Sequence, residues 1–162
     1  LATRAARELG LVGLAARASG VARDGRHELP GRVYAEHPLP LLTEDSGDCW
    51  ARLHLRMREI DASLHWLQQW LQDMAADLAG AALVPIGALP AGRLCISVCE
   101  GFRGPVVQAI ETDADGRLLH CKVQDASMIN WFGLALAVRE NEISDFPICN
   151  KSFDLSYCGN DL

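Results

Sequence analysis

Between Gly47 and Leu78 the apolar residues fall at Trp50, Leu53, Met57, Ile60, Leu64, Leu67, Leu71, Met74 and Leu78, in alternating steps of three and four. Such steps form a heptad seam. They predict one helix over Asp48 to Leu78, roughly 45–50 Å long at ~1.5 Å per residue. Asp45, Ser46 or Asp48 can cap its start, and Gly80 can end it. His65, Trp66 and Trp70 widen the apolar face. That width favours a core helix of a bundle over an independent coiled coil.

After the connector Ala81 to Pro90 the period changes from helical to two. Leu94, Ile96 and Val98 share one face of a strand over Arg93 to Glu100, Pro105 to Thr112 is rich in β-formers, and Arg117 to Val123 returns. Asp113 to Gly116 supplies a turn with glycine where positive φ is needed. These three segments predict a small antiparallel meander. Ala126 to Glu140 then reads as a helix capped by Asp125, with Ile129, Phe132, Leu136 and Trp131 as its apolar side. Asn141 to Leu162 shows no period and is expected to be an irregular tail.

The start of the chain is less regular. Thr3 to Leu9 predicts a short helix with Thr3 as cap and Gly10 as stop. Leu11 to Gly20 is small and apolar, suited to close backbone approach or to irregular passage through the interior. Val21 to Pro40 carries Gly, Pro, Arg, His and acids and reads as a long loop. The fold class is therefore α+β: a long-helix bundle with a small antiparallel β-meander and an irregular C-terminal tail.

Composition narrows the functional classes. With 162 residues, 49% of them apolar, the chain has enough material for a core and is not a disordered polymer. No apolar run reaches the ~18–20 residues of a membrane-spanning helix. The net charge of −6 opposes phosphate binding, so no nucleic-acid partner is expected. Lys122 and Lys151 are the only lysines among 15 basic residues. Arginine in such excess points to fixed, bidentate and partly buried pairs. The six cysteines have irregular spacings, the chain begins at Leu1, and no leader is evident. Reduced thiols in a piece of a longer polypeptide are expected.

Metal and nucleotide chemistry find little support in the spacings. There is no C-x-x-C or H-x-x-x-H, no Gly-rich phosphate loop after a strand, and no G-x-S-x-G elbow. Cys95 and Cys99 share a strand face but lie ~13 Å apart along it. Cys149 and Cys158 in the tail can converge on a metal, although ordinary buried thiols fit the segment better. His27, Glu28 and His37 are three donors in one loop without a ligand spacing; His54 and His65 read as side-facing or hydrogen-bonded helix residues, and His120 as a surface residue.

Three segments, in order, resemble one family. Arg17-Ala18-Ser19-Gly20-Val21-Ala22-Arg23-Asp24-Gly25-Arg26 is similar to the R-A-S-G-x-x-x-D-x-R loop of group 4 nickel–iron hydrogenase large subunits and of the related complex I subunit. Glu100-Gly101-Phe102-Arg103-Gly104 resembles their E-x-P-R-G strand motif. Phe146 to Asp161 falls where those hydrogenases carry S-x-D-P-C-x-x-C. The resemblance implies that residues 1–162 are the C-terminal domain of a hydrogenase-like large subunit, a fragment of a longer chain.

The departures carry as much information. With Asp154 on the motif's aspartate, Leu155 takes its proline, Ser156 its first cysteine and Gly159 its second, while Cys158 stands one position off register. A hydroxyl is a hard donor poorly matched to a soft bimetallic centre, and glycine has no donor. The resemblance then implies a subunit without its own nickel–iron centre, inactive as this piece alone, supporting electron transfer in a membrane-associated complex. Arg103 and Asp154 match an arginine–aspartate pair beside the family's metal, and Asp24 and Arg26, followed by Tyr34, match its charged loop. These five are the cavity candidates, and Ser156 and Gly159 mark the lost ligands. No cofactor is implied within the fragment. An iron–sulfur cluster in a partner subunit is, and a quinone is admissible. The implied partners are the iron–sulfur small subunit, membrane subunits and the N-terminal part of the same chain, on the cytoplasmic side of the inner membrane, peripherally bound. Two rival readings stand beside this one: a true metal enzyme recruiting Cys149 and Cys158, and a structural module whose heptad seam docks a helix.

Overall fold

The computed structural model describes residues 1–73 and 87–157. Its centre is a five-residue helix in which Gly13, Ala15 and Ala16 are small. This helix, α2 (Gly13–Arg17), follows α1 (Thr3–Glu8), and all five of its residues are buried. Ala15 packs with Leu134, Cys149, Phe153 and Leu155; Ala16 packs with Ala6, Leu11 and Val21; Leu14 packs with Ala18, Ala51 and Leu55. One short segment thus joins three small cores, and small residues are what let three neighbours approach it at once. A methyl group on Gly13, which sits at φ +60°, would collide with the Arg103 carbonyl. Fully buried Asn130 locks this crossing, accepting from the Val12 N–H at 3.1 Å and donating to the Val12 and Arg103 carbonyls at 3.2 and 3.3 Å.

The expected loop over Val21 to Pro40 is instead two short helices, α3 (Gly25–Glu28) and α4 (Gly31–Glu36). Asp24 caps α3 by accepting from the Arg26 N–H at 2.9 Å, and Pro30 occupies the N-cap position of α4. Thr3 does not cap α1, since Ala2 holds that position, whereas Gly10 does end the turn at φ +67°.

The long helix is α5 (Cys49–Asp73), capped by Asp48, whose Oδ1 accepts from the Ala51 N–H at 2.7 Å. Met74, Leu78 and Gly80, expected in and after this helix, lie outside the described residues. Ala51, Arg52 and Leu55 face the interior, while Trp50, Leu53, Met57, Ile60, Leu64, Leu67 and Leu71, the heptad seam, are each 43–63% exposed. The seam is therefore not the core-facing side within this chain. Among the described residues no helix is long and apolar enough to cross a membrane.

The meander is as expected: β1 (Leu94–Gly101), β2 (Gly104–Thr112) and β3 (Leu118–Gln124) pair antiparallel in that order, with an irregularity between Glu111 and Thr112. Helix α6 (Ser127–Ala137) starts where the Asp125 carboxylate accepts from the Ser127 N–H at 2.7 Å. Its buried side is Ser127, Asn130, Gly133 and Leu134, not Phe132, which is exposed. The tail is not irregular throughout. A 3-10 turn over Ile143–Asp145 leads into α7 (Phe146–Phe153). Pro147 lies in the first turn of α7, where a helix needs no N–H donor, and Asp154 ends it at φ +54°.

Candidate functional site

The C-terminal end of α2, the start of α3, the middle of α5 and the end of β1 meet around a buried charge network. Arg17 is 2% exposed. Its Nε donates to Glu59 Oε1 at 2.7 Å, and its Nη1 lies 3.0 Å from Glu100 Oε1 and 3.3 Å from Asp24 Oδ2. Asp24 is also held by Arg26, whose Nε and Nη2 donate to its two oxygens at 2.9 and 2.6 Å. The second Glu100 oxygen accepts from the Gly25 N–H at 3.0 Å. Every carboxylate is thus met by a guanidinium, the condition under which buried charge is tolerable.

The protonation states follow from these contacts. Burial opposes the charge on Arg17, but the Glu59 hydrogen bond and the carboxylates of Glu59, Asp24 and Glu100 outweigh it and raise its pKa above the ordinary value. Burial likewise works against ionised Asp24, yet Arg26 and Arg17 hold its carboxyl below the usual range. The Asp24 hydrogen bond, working against burial, raises Arg26.

This network forms one wall of a 340 Å³ cavity lined also by Tyr34, Arg56, Ile60, Leu64 and Phe102. The volume is in the range of small-molecule sites. Tyr34 is placed by α5: its ring lies 5.5 Å from that of Trp66, whose indole N–H donates to the His37 carbonyl at 2.7 Å. Three of the five cavity candidates, Asp24, Arg26 and Tyr34, therefore line or adjoin one cavity.

Arg103 and Asp154 meet elsewhere, and in a different way from the expected ion pair. Arg103 Nε donates to the main-chain carbonyl of Asp154, while the Asp154 carboxylate accepts from Lys151 Nζ at 2.6 Å. Lys151, against burial, holds that carboxyl below its ordinary range, with Arg103 and Arg56 adding to the effect. Arg56 stands between the two groups. It lines the polar cavity and also a second, largely apolar one of 560 Å³ with Cys49, Trp50, Leu53, Ile148, Lys151, Ser152 and Asp154. Its guanidinium lies 5.0 Å from the centre of the Phe102 ring, and that of Arg103 lies 5.6 Å from the same ring. Burial, with Arg103 and Arg52 nearby, lowers the Arg56 pKa despite Asp154 and Glu59.

Arg17, Glu59, Glu100 and Arg56 belong to the site and were not singled out in the sequence. Arg17 and Glu100 sit inside the two resembling motifs, and the arginine excess signalled buried pairs. Glu59 and Arg56 gave no local signal.

The residues that the resemblance puts at hydrogenase ligand positions do not fit a nickel–iron group. Ser156 offers a hydroxyl, and its main-chain N–H donates to the buried Ser127 Oγ at 3.0 Å. Gly159 and Cys158 lie outside the described residues, and glycine brings no donor by its identity. Cys149 is packed in the core with Leu134, Phe153 and Leu155. Among the described residues no three His, Cys, Asp or Glu side chains converge as a metal-holding group.

Comparison with known proteins places this geometry. Residues 1–86 match the family described as respiratory-chain NADH dehydrogenase, 49 Kd subunit. The carbon monoxide-induced hydrogenase of Rhodospirillum rubrum is 31% identical over 147 residues, 91% of this chain and 40% of that protein. Formate hydrogenlyase subunit 5 of Escherichia coli is 28% identical over 156 residues, 96% of this chain and 27% of that protein. A chain of the membrane-bound sulfane sulfur reductase, an archaeal respiratory membrane complex, shares the fold at a TM-score of 0.88 with 20% identity, covering all of this chain and 45% of that one. The chain thus spans less than half the length of these relatives. With the match running from residue 1 through α5, more than half of its length, the chain belongs to the family of the 49 Kd subunit of respiratory-chain NADH dehydrogenase.

Proposed function

We propose that this chain is part of the large subunit of a membrane-bound respiratory oxidoreductase complex. It receives electrons from an iron–sulfur partner and passes them to a quinone-class acceptor, with no nickel–iron centre held through its own C-terminal end. The observation that carries this reading is the polar cavity beside Arg17. Arg17, Arg26 and Arg56 face Asp24, Glu59 and Glu100, so formal charges cancel around it. Cancellation favours an uncharged ligand with polar oxygens over an anion or a cation. Tyr34 and Arg26 bring donors, while Leu14, Ile60 and Leu64 bring apolar surface. A quinone head group has this mixture of properties. The hard hydroxyl of Ser156 where sulfur would be needed supports the absence of nickel.

The exposed seam of α5 supports the assembly. Seven large apolar residues in heptad order invite a helix. The part of the large subunit that this chain does not span is the occupant we assign to it, with iron–sulfur and membrane subunits beyond. Attachment is peripheral, on the cytoplasmic face of the inner membrane.

The test is electron transfer from the natural donor to a short-chain quinone in the intact purified complex. Tyr34→Phe and Arg26→Gln are expected to raise the apparent KM for the quinone, by roughly tenfold for each lost hydrogen bond of ~1.4 kcal/mol. Unchanged quinone kinetics in both variants, with the complex assembled, contradict the assignment.

A further inference from the structure

Helices α5 and α7 bring two thiols together away from the polar cavity. Cys49 is the first residue of α5, half-buried, and Cys149 lies in α7. Both belong to the same apolar cluster with Phe153 and Leu155. Arg52 Nη2 donates to the Cys49 sulfur at 3.4 Å, and Arg52 itself is fixed by its Nε bond to Ser152 Oγ at 2.9 Å and its Nη1 bond to the Gly47 carbonyl at 2.9 Å. A positive charge is therefore held against one sulfur of the pair. Burial, with Cys49 beside it, pushes the Cys149 thiol up despite the charge of Arg52. The two cysteines also line a 360 Å³ groove with Leu1, Asp48, Asn141 and Asp145, which gives a small reagent a way in.

We propose that Cys49 and Cys149 form a redox-active dithiol that exchanges with a low-molecular-weight disulfide and closes into a bond between α5 and α7. The Cys49 sulfur, freed of its proton, attacks one sulfur of the incoming disulfide and expels the first thiolate. The mixed disulfide on Cys49 is then attacked by the Cys149 sulfur, which expels the second. Two protein thiols lose two electrons, one small disulfide becomes two thiols, and the two protons pass from protein to leaving groups. The closed form staples the start of α5 to α7, whose C-terminal end carries Asp154 and leads to Ser156.

The other described cysteines provide an internal control. Cys95, Cys99 and Cys121 are exposed on one face of the sheet. Cys95 and Cys121 both pair with Ile110 from opposite sides, about 9.5 Å apart at two strand spacings. That exceeds the ~7 Å reach of a disulfide. None of these three thiols can close a disulfide with another of the three.

The experiment poises the intact complex in graded oxidised and reduced glutathione, quenches with acid, alkylates, and reads peptides by mass spectrometry. A linked Cys49–Cys149 peptide is expected on oxidation and is fully lost on return to reduced glutathione. Cys149→Ala should replace the linked peptide with a stable glutathione adduct on Cys49. Cys49→Ala should leave Cys149 free of adduct while Cys95, Cys99 and Cys121 react as in the parent protein, which also reports that the fold is kept. The absence of a linked peptide at every ratio overturns the proposal. So does a Cys149→Ala protein whose Cys49 takes no glutathione while the sheet cysteines do. The proposal is independent of the quinone reading, which neither outcome touches.

Discussion

Helix α5 has two faces that invert the usual order of a surface helix. Its inner side carries Arg52 and Leu55 in full burial and sends Glu59 to the buried Arg17. Its outer side carries the leucines and the tryptophan of the heptad seam in the open. In an isolated soluble helix the apolar stripe turns inward and the charges outward. Here the charges turn inward because α2, α3 and β1 bring partners of opposite sign to meet them. The apolar stripe stays outside because nothing among the described residues covers it. The contrast separates two surfaces: one face builds a polar cavity, and the other carries an exposed apolar stripe.

The inner face is the easier to break. Arg17→Met leaves Asp24, Glu59 and Glu100 with their shared counter-charge gone, and is expected to cost about 3–5 kcal/mol in urea unfolding. A loss below ~1 kcal/mol would mean that the network contributes little to the fold. Next in size, Leu55→Ala should cost about 2–5 kcal/mol, since its side chain is wholly enclosed. The matched change on the outer face, Leu67→Ala, should stay within about 0.5 kcal/mol in the separate chain. In the complex, however, it should weaken assembly, measurable as co-purification of the remaining subunits. Equal costs for the two leucines in the separate chain would erase the contrast.

Acid gives a finer probe of the inner face. Asp24 has a folded-state pKa below its ordinary value. Its contribution to stability is therefore complete above ~3.9, the unfolded value, and is lost as pH falls through the lower folded value. The melting temperature should drop below about pH 4, and Asp24→Asn should flatten part of that slope. A slope unchanged by the substitution assigns the acid sensitivity to other carboxylates.

The sequence made some of this legible and hid the rest for physical reasons. The start of α5, its Asp48 cap and the β-meander follow from local periodicity and turn chemistry, which act between near neighbours. The direction of the seam was hidden, because a heptad announces a helical partner without saying which chain supplies it. Helices α3 and α4 escaped notice because they are single turns held by tertiary contacts such as Tyr34 on Trp66. Helix α7 escaped because Pro147 reads as a breaker, although in a first turn it is harmless. In the site, motif resemblance brought Asp24, Arg26 and Tyr34 into view. Glu59 stayed hidden because its partner Arg17 lies 42 residues away in sequence. The Arg103–Asp154 contact was foreseen as a side-chain ion pair, but the left-handed turn at Asp154 places its main-chain carbonyl next to Arg103, and Lys151 takes the carboxylate.

Metal content of the intact complex decides whether the tail holds a nickel–iron centre, which we propose it does not. Elemental analysis should find iron for the clusters of partner subunits and no stoichiometric nickel. One nickel per large subunit, with sulfur ligation lost on Cys158→Ser, would mean that the tail does hold the metal.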